Sequence, residues 1–113
     1  MAEKRFWTLD TARALLGEIR ERTARAVGDA ESLLRERARE EESSAERAEI
    51  ETRIREVVSR WAREMEALGV EVKGPWLVDF DNGSGYYCWK WPEAELGHFH
   101  GYEEGFGGRV PIQ

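Results

Sequence analysis

The sequence predicts an α+β protein in which a long antiparallel helix hairpin precedes a small antiparallel β-sheet and an irregular C-terminal segment. The length of 113 residues corresponds to a single domain, residues 1–113. Only two glycines and no proline precede position 69, whereas residues 69–113 contain nine glycines and all three prolines. Apolar residues also repeat at helical spacing as far as Leu68. The hairpin is therefore expected over residues 9–68 and the sheet over residues 69–113.

The first helix is predicted from small or apolar residues that recur in alternating steps of three and four from Leu9 to Leu33. This spacing places them along one side of a helix, as in a coiled coil. Thr8 is a suitable N-cap, and Asp10 lies in the first turn, where the helix dipole favours a carboxylate. The periodicity ends near residues 39–42, where we expect the helix to end.

A second helix is predicted to begin at Ser43, which forms a capping box with Glu46. It is expected to end before Gly69, a residue typical of the position after a helix C-terminus. Because the connection is short, the two helices should pack antiparallel. The predicted apolar face consists of Ile50, Ile54, Val57, Trp61 and Leu68.

The length of this hairpin also predicts a homodimer. Residues 69–113 are too few to cover it, so apolar residues around 26–34 and 48–54 would remain exposed to water. A second copy would bury them in an antiparallel four-helix arrangement.

Three strands are predicted from alternating or apolar runs at residues 70–73, 76–80 and 86–91. Asn82-Gly83 between the last two runs is typical of a two-residue hairpin loop. This loop would place Asp79 opposite Tyr86. One face would then be apolar: Trp76, Val78, Phe80, Tyr87, Trp89 and Trp91. The opposite face would be mixed and polar: Leu77, Asp79, Tyr86, Cys88 and Lys90.

Residues 92–113 lack a clear period and are expected to wrap around the sheet, with one short strand near Val110. Their aromatic residues predict that the segment is held against the rest of the protein. The apolar face of the sheet is expected to pack on the helices near Phe6, Trp7, Trp61 and Met65.

Composition excludes several classes of partner. The net charge of −6 and the pI of about 5.0 argue against nucleic acid and against an anionic membrane surface. No apolar run approaches the roughly 18 residues of a membrane span. The single cysteine, Cys88, cannot form an intramolecular disulfide, and the N-terminus lacks a secretory signal. These features predict a cytoplasmic protein.

The stretch CWKWPEAELGHFHG contains the only cysteine and both histidines of the chain. Cys88, Glu93, His98 and His100 are ligand types suited to zinc or another transition metal. Their spacing matches no standard motif, and Asp79 can replace one ligand. The alternative is that these side chains only satisfy one another by hydrogen bonds.

Two further kinds of chemistry involve the same region. Cys88 with His100 and either Asp79 or Glu93 has the residue types of a thiol-based triad. However, a cysteine in mid-strand lacks the helix N-terminus that lowers a thiol pKa, which favours an inert thiol. Arg109 follows the flexible sequence GFGG and either holds an anion or pairs with Asp79 or Glu93.

Several motifs together resemble the bacterial domain-of-unknown-function family 2203. They are FWTLDTARALL, ALGVEVKGP, LVDF, CW with an acidic residue soon after, Phe99-His100 and GFGGR-x-P. Glu93 matches the acidic residue of the family's RLGE-like segment, while Pro92 replaces its glycine. Phe99-His100 stands where the family has Trp-His, and His98 is additional. The resemblance implies an uncharacterised cytosolic protein and provides no catalytic residues.

Two functional hypotheses follow from the sequence. The first is a non-enzymatic, dimeric interaction or scaffold module. The alternative is a small-molecule or metal-binding protein, or an enzyme. Its site would lie on the polar face of the sheet and consist of Asp79, Cys88, Glu93, His100 and Arg109.

Overall fold

The structure, a computed structural model, describes residues 5–39 and 43–113 and confirms the predicted α+β fold. Two helices pack against each other and are followed by five strands. The helices are α1 (Leu9–Arg39) and α2 (Ser44–Ala67). The strands are β1 (Glu71–Gly74), β2 (Leu77–Asp81), β3 (Tyr86–Lys90), β4 (His98–His100) and β5 (Val110–Pro111). A short 3₁₀ helix spans Phe106–Gly108.

The predicted apolar face of α1 is buried from Ala12 to Leu33. The helix begins where Thr8 and Thr11 exchange hydrogen bonds: the Thr11 N–H donates to Thr8 Oγ1 (3.1 Å) and the Thr8 N–H to Thr11 Oγ1 (2.9 Å). These bonds satisfy backbone donors at the helix N-terminus. α1 ends at Arg39, and residues 40–42 of the predicted break lie outside the described residues.

The start of α2 at Ser43 is also confirmed, because Ser43 Oγ accepts a hydrogen bond from the Glu46 N–H at 3.3 Å. The helices are antiparallel. Trp61 Nε1 donates to Thr23 Oγ1 (2.9 Å), whereas Arg37, later in α1, pairs with Glu51, earlier in α2 (2.8 Å). No helix within the described parts of the chain is both long enough and apolar enough to cross a bilayer.

The premise of the predicted homodimer holds only in part. Ala26, Ala30, Leu33 and Ile50 are buried within a single chain, whereas Ile54 is half-buried and Ala48 and Leu34 are exposed. The apolar face of α1 is narrow and rich in alanine, so α2 can approach it closely. The homodimer stays a prediction, with a weaker physical reason.

All neighbouring strands of the sheet are antiparallel, in the order β1-β2-β3-β4-β5. The three predicted strands appear within one residue of their expected ends, and β5 lies at the expected Val110. Strand β4 was not predicted. Its three residues are too few for a periodic signal, and they become a strand by pairing with β3.

The predicted two-residue hairpin loop is wrong. Asp81 pairs with Tyr86, so residues 82–85 form a four-residue loop. Asn82 closes it: its N–H donates to the Gly85 carbonyl oxygen (2.9 Å), and its Oδ1 accepts from the N–H groups of Ser84 and Gly85. The register moves by two residues, which preserves the assignment of residues to the two faces.

The apolar face of the sheet packs on the helices as predicted. Trp7 contacts Phe80 with ring centroids 5.3 Å apart, and Trp61 contacts Trp76 at 5.0 Å. Phe6 lies beside the hairpin loop, where a Cβ on Gly83 would be 3.9 Å from its ring, and its side chain is 59% exposed. With one face covered by the helices, the other face is available for a site.

Candidate metal centre

Three polar side chains meet on the face of the sheet that points away from the helices. Asp79 in β2 pairs directly with Cys88 in β3, and β4 places His100 beside them. One potential ligand atom from each residue lies within 4.8 Å of the others, and all three residues are buried. Alternation along three adjacent strands brings these side chains to the same face.

His100 has a fixed orientation. Its Nδ1 lies 2.9 Å from the Gly101 carbonyl oxygen, and its Nε2 lies 2.9 Å from Asp79 Oδ2. A carbonyl oxygen can only accept a hydrogen bond, so Nδ1 carries a proton. In a neutral imidazole, Nε2 then presents its lone pair to the carboxyl group. Two acceptors at this distance need a shared proton, which a metal ion bound to both atoms would replace.

Asp79 is only 1% exposed. Burial raises the pKa of its carboxyl group, although the Cys88 thiol and the His100 ring oppose the rise. Oδ2 contacts His100, whereas Oδ1 is buried without a hydrogen-bond partner among the described residues. A buried oxygen of this kind is costly unless something satisfies it.

The Cys88 thiol is equally buried. Burial and the neighbouring Asp79 carboxylate raise its pKa to about 12, against the influence of Arg109. The thiol is therefore protonated at neutral pH, and this argues against the thiol-based triad considered from the sequence. A metal ion would displace that proton, because thiolate is the form that binds metal.

Arg109 pairs with Glu93 rather than with Asp79. Its Nη1 donates to Glu93 Oε1 (3.0 Å) and its Nη2 to Oε2 (2.7 Å), a two-bond geometry typical of arginine and carboxylate. Nη1 also lies 4.0 Å from the Cys88 sulfur. Both terminal nitrogens of the guanidinium already donate to Glu93, and this disfavours the anion site considered from the sequence.

The predicted ligand set of Cys88, Glu93, His98 and His100 differs from the group that the structure brings together. Glu93 is held by Arg109, and His98 Nδ1 lies 3.8 Å from Glu93 Oε2. Asp79 joins Cys88 and His100 instead, the replacement that the sequence allowed. Of the five candidate site residues, Asp79, Cys88 and His100 form the centre, and Arg109 and Glu93 lie beside it.

The cluster opens into a cavity of about 400 Å³. This volume suits a small ligand. The remaining walls are formed by Lys73, Leu77, Tyr86, Tyr102 and residues 103–106. The alternation of β1 could have identified Lys73. The sequence predicted that residues 92–113 wrap around the sheet, but not that residues 102–106 lie beside this cluster. Tyr102 holds this loop by donating to Asp81 Oδ1 at 2.6 Å.

Comparison with known proteins supports the resemblance found in the sequence motifs. No curated protein and no solved structure matches the chain. Residues 5–112, nearly the whole sequence, match the family described as uncharacterized conserved protein (DUF2203). The chain therefore belongs to the DUF2203 family.

Proposed function

We propose that the protein binds a divalent transition-metal ion, of the zinc class, through Asp79, Cys88 and His100. The orientation of His100 carries the proposal. Its Nδ1–H donates to a backbone carbonyl and leaves Nε2 facing a carboxylate and a sulfur atom. Histidine ligands of metals characteristically donate their other ring N–H in this way. Carboxylate oxygen, thiolate sulfur and imidazole nitrogen are all established zinc ligands.

Charge balance is compatible with a metal ion. With the ion bound, an ionised Asp79 and a Cys88 thiolate would carry two negative charges in a buried position, which a divalent cation neutralises. The ion would also satisfy the carboxyl group whose Oδ1 lacks a partner among the described residues. The competing explanation is a single proton shared by Asp79 and His100, with Cys88 remaining a thiol.

Three protein ligands leave one position of a tetrahedral ion available. In zinc proteins this arrangement is characteristic of sites that bind water or a small molecule. The same three residues line the cavity of about 400 Å³, so a ligand in the fourth position would have space on the cavity side. The proposal thus combines the metal-binding and small-molecule hypotheses.

A cobalt titration tests the metal site. Metal-free protein titrated with Co²⁺ should bind one equivalent and develop the absorption bands of a tetrahedral ion with a thiolate ligand. Cys88→Ser should abolish the sulfur-to-cobalt band, and His100→Ala should weaken binding at least tenfold.

His98→Ala is the matched control, because His98 lies on the same strand and face but outside the cluster. It should retain the sulfur-to-cobalt band and lose far less affinity than His100→Ala, because its contact is with Glu93 at 3.8 Å and not with the three ligands. If the wild type takes up no stoichiometric cobalt or zinc by elemental analysis, the shared-proton explanation is correct and the metal function is wrong.

A homodimeric interaction or scaffold role is the other proposal, derived from the length of the hairpin. The burial of most of the α1 face within one chain weakens its main support. Cytoplasmic location and bacterial origin belong to the same set of sequence predictions. The oligomeric state in solution tests the dimer.

A further inference from the structure

We propose that Arg109 is a positioning residue for the Cys88 sulfur and that Glu93 holds it in place. The guanidinium would donate an N–H to the thiolate and orient it toward the metal position. This inference rests on the metal-binding function proposed above and concerns residues outside the three ligands.

The position of Glu93 is fixed at the end of β3. Its Oε1 accepts a hydrogen bond from the Lys90 N–H at 2.8 Å, and its own N–H donates to the Lys90 carbonyl oxygen at 2.9 Å. Trp89 Nε1 donates to the Glu93 carbonyl oxygen at 2.8 Å. Backbone and side chain are thus both held, so Glu93 is a rigid anchor for any group that binds it.

Arg109 is restrained on two sides. Both terminal nitrogens donate to Glu93, and the guanidinium lies 4.2 Å from the centre of the Phe106 ring. The side chain is only 13% exposed. In this position Nη1 is 4.0 Å from the Cys88 sulfur, within the range of an N–H···S contact. Arginine suits this position because its planar fork reaches two partners at once, which a lysine ammonium cannot reproduce.

An N–H donated to a metal-bound thiolate has a measurable effect. It stabilises the sulfur lone pairs, so charge transfer from sulfur to the metal requires more energy. Hydrogen bonds to ligating sulfur atoms are an established means of adjusting metal sites, and their loss typically lowers affinity about 10–100-fold. Removal of Arg109 should therefore alter the sulfur-to-metal band itself as well as the amount of metal bound.

The test is the cobalt spectrum of Arg109→Gln. We expect the sulfur-to-cobalt band to move to lower energy and the dissociation constant to rise about 10–100-fold. Arg109→Lys should show the same changes in band energy and dissociation constant, because lysine keeps the positive charge but lacks the planar guanidinium that reaches two partners. Arg13→Gln is the matched control, since Arg13 donates to the Leu96 carbonyl oxygen, a contact separate from the cluster. This variant should leave the energy of the sulfur-to-cobalt band and the affinity for cobalt unchanged.

Glu93→Gln keeps Arg109 but removes its anchor, and should shift the band in the same direction. This variant provides the test if Arg109→Gln does not fold. Cobalt binding with an unchanged band and affinity in both variants would overturn the positioning role while leaving the metal function intact. A wild type that binds no cobalt would overturn the metal function and, with it, this inference.

Discussion

Glu93 is the side chain whose ionisation is most clearly linked to folding. Burial alone would raise the pKa of its carboxyl group, but hydrogen bonds from Arg109 and from the Lys90 N–H outweigh burial and lower the pKa. A carboxyl group with a lowered pKa in the folded state stabilises the protein above its unfolded pKa. That contribution is lost as the pH falls through the lower, folded pKa.

We therefore expect Glu93→Gln to lower the free energy of unfolding at pH 7 by about 1.5–3 kcal/mol, the range for hydrogen bonds to charged groups. The difference from the wild type should shrink as the pH falls below the ordinary glutamate value of 4.5. Urea unfolding of metal-free protein between pH 3 and pH 7 measures it. A difference that stays constant over this range would show that the charge of Glu93 is not involved.

At the residue scale, the sequence identified the site residues better than their roles. Cys88 and His100 stood out because each is scarce in the chain, and Asp79 because it interrupts an apolar strand. Only the distances between side chains on neighbouring strands distinguish the proposed ligands from the residues that support them. A register error of two residues left Asp79 diagonal to Cys88, although the two are directly paired. The sequence offered both Asp79 and Glu93 as partners of Arg109, and only the structure selects Glu93.

At the scale of elements, the helices were predictable and part of the sheet was not. The helix faces extend over many turns, so their periodicity is a strong signal. The hairpin depended on one dipeptide, and Asn-Gly favoured a loop shorter than the one that the Asn82 side chain stabilises. The assignment of residues to the two faces of the sheet was nevertheless correct, because a register shift of two residues leaves each side chain on the same face.

Gly85 shows why β4 lies where it does. A Cβ atom at this position would be 2.7 Å from the His100 carbonyl oxygen and 2.7 Å from the Phe99 ring. The absence of a side chain at Gly85 therefore lets β4 approach the hairpin and bring His100 toward Asp79.

We expect Gly85→Ala to destabilise the protein by about 1–3 kcal/mol, the usual cost of overpacking, because β4 must move. It should also weaken cobalt binding, since His100 moves with the strand. Gly97→Ala is the control, because a Cβ there would meet no atom within 4 Å. Chemical denaturation and cobalt titration measure both effects. Equal stability of the two variants would mean that the close contact at Gly85 is relieved without displacing β4.

At the scale of the whole molecule, most of the net negative charge lies in residues 69–113, which carry the site. Residues 69–113 contain three basic and seven acidic residues, a net charge of −4 out of −6 for the chain. A negative potential of this kind draws cations toward the surface and raises their rate of encounter. The charge distribution thus agrees with a cation as the bound species.

The two functional proposals differ in the expected particle mass. Light scattering at micromolar concentration separates them: a mass of 13.1 kDa, that of one chain, would show that the helix pair is complete within one chain and would remove the scaffold proposal. A mass twice as large at every concentration would support the dimeric scaffold. Leu34→Glu would then show whether the exposed leucine of α1 forms part of the contact.

The order of the strands has a consequence for how the centre arises. Each strand pairs with the next one along the chain, so the sheet is a simple meander. The proposed ligands all come from the short run between residues 79 and 100, and none comes from the helices. Such nearby contacts close quickly. A nascent chain that binds the proposed ion would do so as soon as these strands pair, and the ion would then act as a template for the rest of the sheet.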